Sequence, residues 1–188
     1  MILWILGGII LFISVYVVVQ YNLLVSSKNT VSMAWADIEV QLKRRYDLIP
    51  NLVDIVKGYA KYEAETIEKV IAARNAAMAV KEGGAKEHSD GQNQLGSALK
   101  SLFAVAENYP DLKASDNFLK LQFELTDVED RIKASRRYYN TNVMDYNIRR
   151  EQFPGNIIAA QFNFKPAAFF ELPYEEAVAA SKVVEVKF

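Results

Sequence analysis

The first 25 residues contain no charged side chain, and 20 of them are hydrophobic. This feature narrows the possible folds more than any other, because an uncharged apolar run of that length needs a cover that water cannot supply. From Ile2 to Val19 the run holds 18 residues. As a helix rising 1.5 Å per residue it would extend about 27 Å, close to the hydrocarbon thickness of a bilayer. Gln20 to Val25 leave room for tilt. Trp4 stands near one end and Tyr21 near the other, where amphipathic rings favour the headgroup level. Gly7 and Gly8 would let neighbouring spans approach closely, although an adjacent pair is a weaker device than Gly-x-x-x-Gly. The rival reading is a cleaved signal peptide. Against it, no basic region leads the run, the run is too long, and the first alanine is Ala34, leaving Val25-Ser26-Ser27 as a poor cleavage site. Residues 1–25 therefore read as a transmembrane anchor.

Basic residues flank this anchor on one side only, at Lys28 and then Lys43, Arg44 and Arg45. The positive-inside rule places the C-terminal part in the cytoplasm and the short N-terminal tip outside. The rest of the composition removes whole classes of function. With no cysteine there is no disulfide framework, thiolate metal site or cysteine nucleophile. The lone histidine, His88, excludes a multi-histidine metal site, and Glu87-His88-Ser89-Asp90 reads as part of a glycine-flanked loop that would hold ligands poorly. No Glu-x-x-His, glycine-rich phosphate loop or Gly-x-Ser-x-Gly occurs. A net charge of −1 lacks the basic face that nucleic acid requires. No catalytic, cofactor-binding or metal-binding residue is expected.

Beyond the anchor the chain reads as long helices. From Asp111 to Phe153 there is neither glycine nor proline, and between Ser14 and Glu82 only Pro50 and Gly58 interrupt. Apolar positions mostly step by three or four from Val31 through Trp35, Ile38, Leu42, Tyr46, Ile49, Val53, Val56 and Ala60 to Ile67 and Val70. A second stripe runs from Phe118 through Leu125, Val128, Ile132, Tyr139 and Val143 to Tyr146, and Leu95, Leu99, Leu102 and Ala106 make a third. Such spacing is the seam of helices packed at shallow angles. Glu82-Gly83-Gly84 and Ser89-Asp90-Gly91 bound an expected polar loop, while Tyr109-Pro110 and Phe153-Pro154 end helices. Pro50 leaves two options, a kinked long helix or a hairpin with Asp47 as cap; the unbroken phase from Leu42 to Val56 favours the kink. The expected fold is all-α: a transmembrane helix (1–25), an antiparallel bundle of three to four long helices (26–152) and an irregular aromatic tail (153–188). That tail holds six of the ten phenylalanines and reads either as a strap on the bundle or as a docking segment through Phe169 and Phe170. Residues 183–188 could add a short strand.

The run from Ala34 to Val53, with Trp35, Lys43-Arg44-Arg45-Tyr46-Asp47 and Ile49-Pro50-Asn51-Leu52-Val53, resembles the signature of the LemA family. Tyr21-Asn22, Val56-Lys57-Gly58-Tyr59-Ala60, Glu107-Asn108-Tyr109-Pro110-Asp111, Arg136-Arg137-Tyr138-Tyr139-Asn140, Phe153-Pro154-Gly155-Asn156 and Phe169-Phe170-Glu171 extend the resemblance in order along nearly the whole chain. One departure is Tyr62, where histidine is expected before Glu63. The resemblance implies a bacterial protein held in the inner membrane by an N-terminal helix, with a helical bundle and no established catalysis, in a family with members linked to membrane shaping in magnetosome formation.

Three groups of residues are candidates for interaction or structure. Arg44 or Arg45 could belong to a solvated mixed-charge face, or could reach Asp127, Glu129 or Asp130 and set helix register. Arg136 lies beside Tyr139, which falls on the seam and is expected in the core with its hydroxyl bonded. Asn51 and Asn140 could be buried polar residues that fix alignment. The preferred function is a membrane-anchored scaffold that forms homo-oligomers on the lipid bilayer and shapes it. The alternative is an adaptor that presents its bundle to a membrane protease or envelope-stress partner.

Overall fold

The computed structural model describes residues 1–60, 62–80 and 85–170. All regular secondary structure among them is helical: α1 (Ile2–Tyr59), α2 (Ala64–Ala79), α3 (Ala85–Ala106), α4 (Pro110–Lys113), α5 (Asp116–Glu151) and α6 (Gly155–Gln161). The chain divides into two compact units. Unit 1 comprises Met1–Ile38 and Ser135–Ala168; unit 2 comprises Glu39–Ala134 and, of the C-terminal residues described, Phe169 and Phe170. Both α1 and α5 contribute residues to each unit.

α1 is 58 residues long and contains Pro50, so the hairpin alternative is set aside. Proline has no N–H, which leaves the carbonyl four residues back, Tyr46, without its helical partner. Arg74 on α2 supplies the missing donor: its Nε lies 2.8 Å from the Tyr46 carbonyl oxygen. A guanidinium thus completes the backbone pairing that proline interrupts, and the apolar phase continues through the buried Leu52, Val53 and Val56. The stripe nevertheless does not stay on one helix as far as Val70. After Gly58, a poor helix former, the Ala60 amide closes a last bond to Val56 and the chain turns. Ile67 and Val70 keep their burial on α2 instead.

Two further expectations change. Ser89-Asp90-Gly91 is helical, within α3, rather than the edge of a loop. There Gly91 serves close packing: a Cβ at that position would stand 3.2 Å from the Ala77 Cα of α2. The segment after residue 153 is not wholly irregular, since α6 follows directly. Gly155 is required at its start, because a Cβ would collide with the Arg149 carbonyl oxygen at the end of α5. Asn163, with φ 54°, adopts the left-handed turn that asparagine tolerates and leads the chain into the non-helical residues 164–168. The strand expected at 183–188 lies outside the described residues.

The core of unit 2 is aliphatic, built from Leu42, Ile49, Leu52, Val56, Val70, Leu95, Leu102, Leu112, Val128 and Ile132, with Phe103 edge-on to Phe118. Unit 1 buries Leu24, Val31, Ala34, Ile38, Tyr139, Val143, Tyr146, Ile158 and Ala159. Residues 1–16 are exposed without exception.

Candidate functional site

The most concentrated polar chemistry lies inside unit 2. Arg45 projects from α1 into the core and is only 6% exposed. Its Nη2 meets Oε2 of Glu129 on α5 at 3.0 Å, and its Nη1 donates to Oε1 of Gln92 on α3 at 3.3 Å. Gln92 Nε2 in turn donates to the Tyr46 hydroxyl, which donates to the Ala77 carbonyl of α2 at 3.4 Å. Gly96 lies beside the guanidinium, where a Cβ would make only an ordinary contact with Nη2 at 3.5 Å. Burial pushes the Arg45 pKa down, opposed by the Glu129 carboxylate; an arginine in such a pair remains charged at any physiological pH. Burial likewise pushes the Tyr46 phenol up, against the Gln92 hydrogen bond and the Arg45 charge. The result is a protonated phenol and a fixed cation whose donors are engaged inside the protein. Chemically this is a lock that ties α1, α2, α3 and α5 together at one level, and it presents no activated nucleophile.

Unit 1 buries one arginine, Arg136, but secures its C-terminal segment with neutral groups. Trp35 packs edge-on against Tyr139, with ring centroids 5.3 Å apart, and the Tyr139 hydroxyl donates to the Ala168 carbonyl at 2.9 Å. Tyr146 donates to the Lys165 carbonyl at 2.8 Å. Asn147 makes two bonds to Ala167, giving its Nδ2 to the carbonyl at 2.9 Å and accepting the amide at 3.0 Å. Three side chains of α5 therefore hold residues 165–168 by their backbone. Upstream, Tyr21 meets Phe162 and Phe164 edge-on at 4.9 and 5.7 Å, and Leu24, Ile158 and Ala159 share an apolar cluster flanked by Val17 and Phe164. A hollow nearby is lined by Leu23, Ser26, Ser27, Thr30, Asn142, Asp145 and Arg149. Thr30 returns its hydroxyl to the Ser26 carbonyl and Asn142 its amide to Tyr138, while Asp145 and Arg149 give the hollow both signs of charge. It has no preference for an anion or a cation.

The residues singled out in the sequence land in different places. Trp4 is exposed, and Gly7 and Gly8 have nothing within 4 Å of a notional Cβ. Tyr21, Trp35 and Tyr139 join the aromatic contacts of unit 1. Arg44 is exposed whereas its neighbour Arg45 is buried, so only one of the pair enters the lock. Pro50 and Asn51 both face solvent, which corrects the expectation of a buried Asn51; Asn140 is half-buried and Arg136 is buried. Phe170 is buried and Phe169 half-exposed. His88 sits half-buried on α3, and burial pushes its pKa down against the pull of Glu39 and Glu87. Among the described residues, no group of three or more His, Asp or Glu could hold a metal ion. Arg74, Gln92 and Asn147 were not singled out in the sequence and Tyr146 only as part of an apolar stripe, although Pro50 signalled Arg74 indirectly by leaving a carbonyl in need of a donor.

Comparison with known proteins places this architecture. The family model described as the LemA family matches residues 34–188. The chain is similar to the magnetosome protein MamQ 2 of Paramagnetospirillum magneticum, 26% identical over 176 residues, covering 81% of this chain and 65% of that protein. It is 25% identical to the magnetosome protein MamQ of Magnetospirillum gryphiswaldense, over 80% of this chain and 64% of that one. To the protein LemA of Metamycoplasma hominis it is 29% identical, over 84% of this chain and 71% of the relative. The chain thus spans just under two thirds of the length of the MamQ proteins it matches.

Proposed function

The chain belongs to the LemA family, and from that premise we propose that it is a non-catalytic helical scaffold, anchored in the bacterial inner membrane by one span, that self-associates on the bilayer and shapes it. The observation that carries this reading is the N-terminal third of α1. It is long and apolar enough to cross a membrane, it bears no charge, and residues 1–16 are left uncovered. A bilayer of about 30 Å supplies the cover. In this reading residues 1–25 are the anchor, with Trp4 and Tyr21 at its two interfaces, and α1, α2, α3 and α5 form an antiparallel bundle on the cytoplasmic side, as the basic residues from Lys28 onward favour. The uncovered Gly7 and Gly8 offer a surface for close packing of neighbouring spans. Absence of catalysis is supported by the buried polar groups of unit 2, which bond to one another rather than to an open cavity. The shaping role draws support from the similarity to proteins named for the magnetosome.

Electron microscopy of the full-length protein in liposomes, beside a version lacking residues 1–26, tests the proposal. Ordered arrays or deformed vesicles with the full-length chain alone are expected. Smooth vesicles with dispersed single particles would overturn self-assembly and favour the adaptor, which binds another membrane protein instead.

A further inference from the structure

We infer a second membrane contact: residues 152–164, comprising α6 and its flanks, lie on the bilayer surface and insert Phe153, Ile157 and Phe162 at the boundary between headgroups and acyl chains. The inference rests on reading residues 2–21 as the span. Three independent observations lead to it.

The first is depth. Ile2 to Tyr21 is 20 residues, a rise of about 30 Å, which matches the hydrocarbon thickness and puts Tyr21 at its edge. Val17, Tyr21 and Leu24 form one stripe of α1, spaced four and three residues apart. α6 and its C-terminal flank pack on that stripe: Ile158 and Ala159 against Leu24, Phe164 beside them, Phe162 and Phe164 edge-on to Tyr21. These contacts hold α6 at the level where the span leaves the membrane.

The second observation is what the segment shows to its surroundings. Phe153 is 79% exposed, Ile157 60% and Phe162 51%. Water is a poor neighbour for three large apolar side chains within ten residues, whereas the acyl boundary suits them. The third is charge. Gln152 to Phe164 is the longest uncharged stretch after Lys28; Glu151, paired with Arg150 at 3.3 Å, bounds it on one side and Lys165 on the other, and with the exposed Arg149 the flanks carry a net positive charge. Cations beside an uncharged apolar segment favour contact with anionic headgroups. The lipid surface begins at Tyr21, so its continuation over α6 needs no further partner.

The natural absence of cysteine allows clean single-site labelling. Ile157→Cys, Phe12→Cys and Arg137→Cys, each in the full-length chain and each carrying an environment-sensitive fluorophore, are reconstituted in phosphatidylcholine/phosphatidylglycerol liposomes containing lipid quenchers at shallow or deep positions. All three sites are exposed; Phe12 lies near the middle of the span, and Arg137 is on α5 beside the Tyr139–Trp35 contact, about 21 Å along α1 from Tyr21. The expected pattern is shallow quenching at residue 157, deep quenching at residue 12 and none at residue 137. Residue 157 behaving like residue 137, with residue 12 still quenched from depth, overturns the inference and leaves the span intact. An unquenched residue 12 removes the span itself. Disulfide cross-links between copies at residue 157 without lipid quenching would give this face to a second copy of the chain and also overturn the inference.

Discussion

Unit 2 is held in register by the Arg45–Glu129 ion pair, whereas the strap of unit 1, a unit that buries Arg136, is held by neutral donors on backbone carbonyls. In unit 2 the Arg45 guanidinium is withdrawn from water and paired with Glu129, then tied through Gln92 and Tyr46 to the backbone of α2. In unit 1, Tyr139, Tyr146 and Asn147 secure residues 165–168 through phenol and amide groups, and aromatic edges fill the rest. The surrounding charge differs too. Unit 1 carries six basic residues and three acidic ones, although the whole chain is net −1. A buried ion pair penalises every arrangement that separates it, so it specifies one register at high cost for error. Side-chain bonds to a strap are worth about 1 kcal/mol each and can be released one by one. The comparison therefore predicts a brittle unit 2 and a unit 1 whose strap yields locally.

The sharpest way to break that comparison is to remove one partner of the ion pair. Glu129→Leu leaves the Arg45 charge buried alone, and should cost about 3 kcal/mol, the low end of the range because Glu129 is 35% exposed. The double variant Arg45→Met/Glu129→Leu should recover most of the loss. Urea unfolding of the full chain in detergent, followed by circular dichroism, measures both. If the double variant loses as much as Glu129→Leu and Arg45→Met alone add up to, the pair is not coupled, and the distinction between the units falls.

The next effect concerns Pro50. Arg74→Met withdraws the donor that Tyr46 lacks because of the proline, with an expected loss of about 2 kcal/mol. In a Pro50→Ala background residue 50 regains its own N–H, so the same substitution should cost well under half as much. An equal loss in both backgrounds would show that Arg74 stabilises by some other contact. In unit 1 the corresponding change is Asn147→Ala, which removes both bonds to Ala167. Water reaches this part-buried site, so the loss is about 1 kcal/mol. The more sensitive readout is chymotrypsin, which should cut after Phe164 several times faster while the rest of the digestion pattern is unchanged.

How much of this was legible depends on whether a feature is periodic or geometric. The helical seams, the apolar first segment and the ends at Tyr109-Pro110 and Phe153-Pro154 follow from spacing and from breakers, which a sequence displays directly. The turn after Gly58 escaped because Ile67 and Val70 keep the same stripe phase across a four-residue break. Gly91 was read as loop punctuation when its lack of a side chain instead serves contact with Ala77, a distinction that only the neighbouring helix reveals. For the lock, the sequence offered Arg44 or Arg45 and three carboxylates; burial selects Arg45 and register selects Glu129. Gln92 was illegible, because an uncharged amide on a polar-looking stretch carries no signal until a guanidinium faces it.

His88, also in unit 2, gives the smallest effect. Burial lowers its folded pKa below the ordinary 6.5, with Glu39 and Glu87 pulling the other way. As pH falls through the unfolded value the unfolded chain binds a proton that the folded chain still refuses, so stability decreases until the folded pKa is reached. Melting temperature should therefore decline as pH falls through the ordinary imidazole value of about 6.5, where most carboxylates are still fully ionised. His88→Gln should flatten that slope. If the decline persists in the variant, its source is a carboxylate elsewhere, and the half-buried imidazole on α3 places no proton-linked cost on folding.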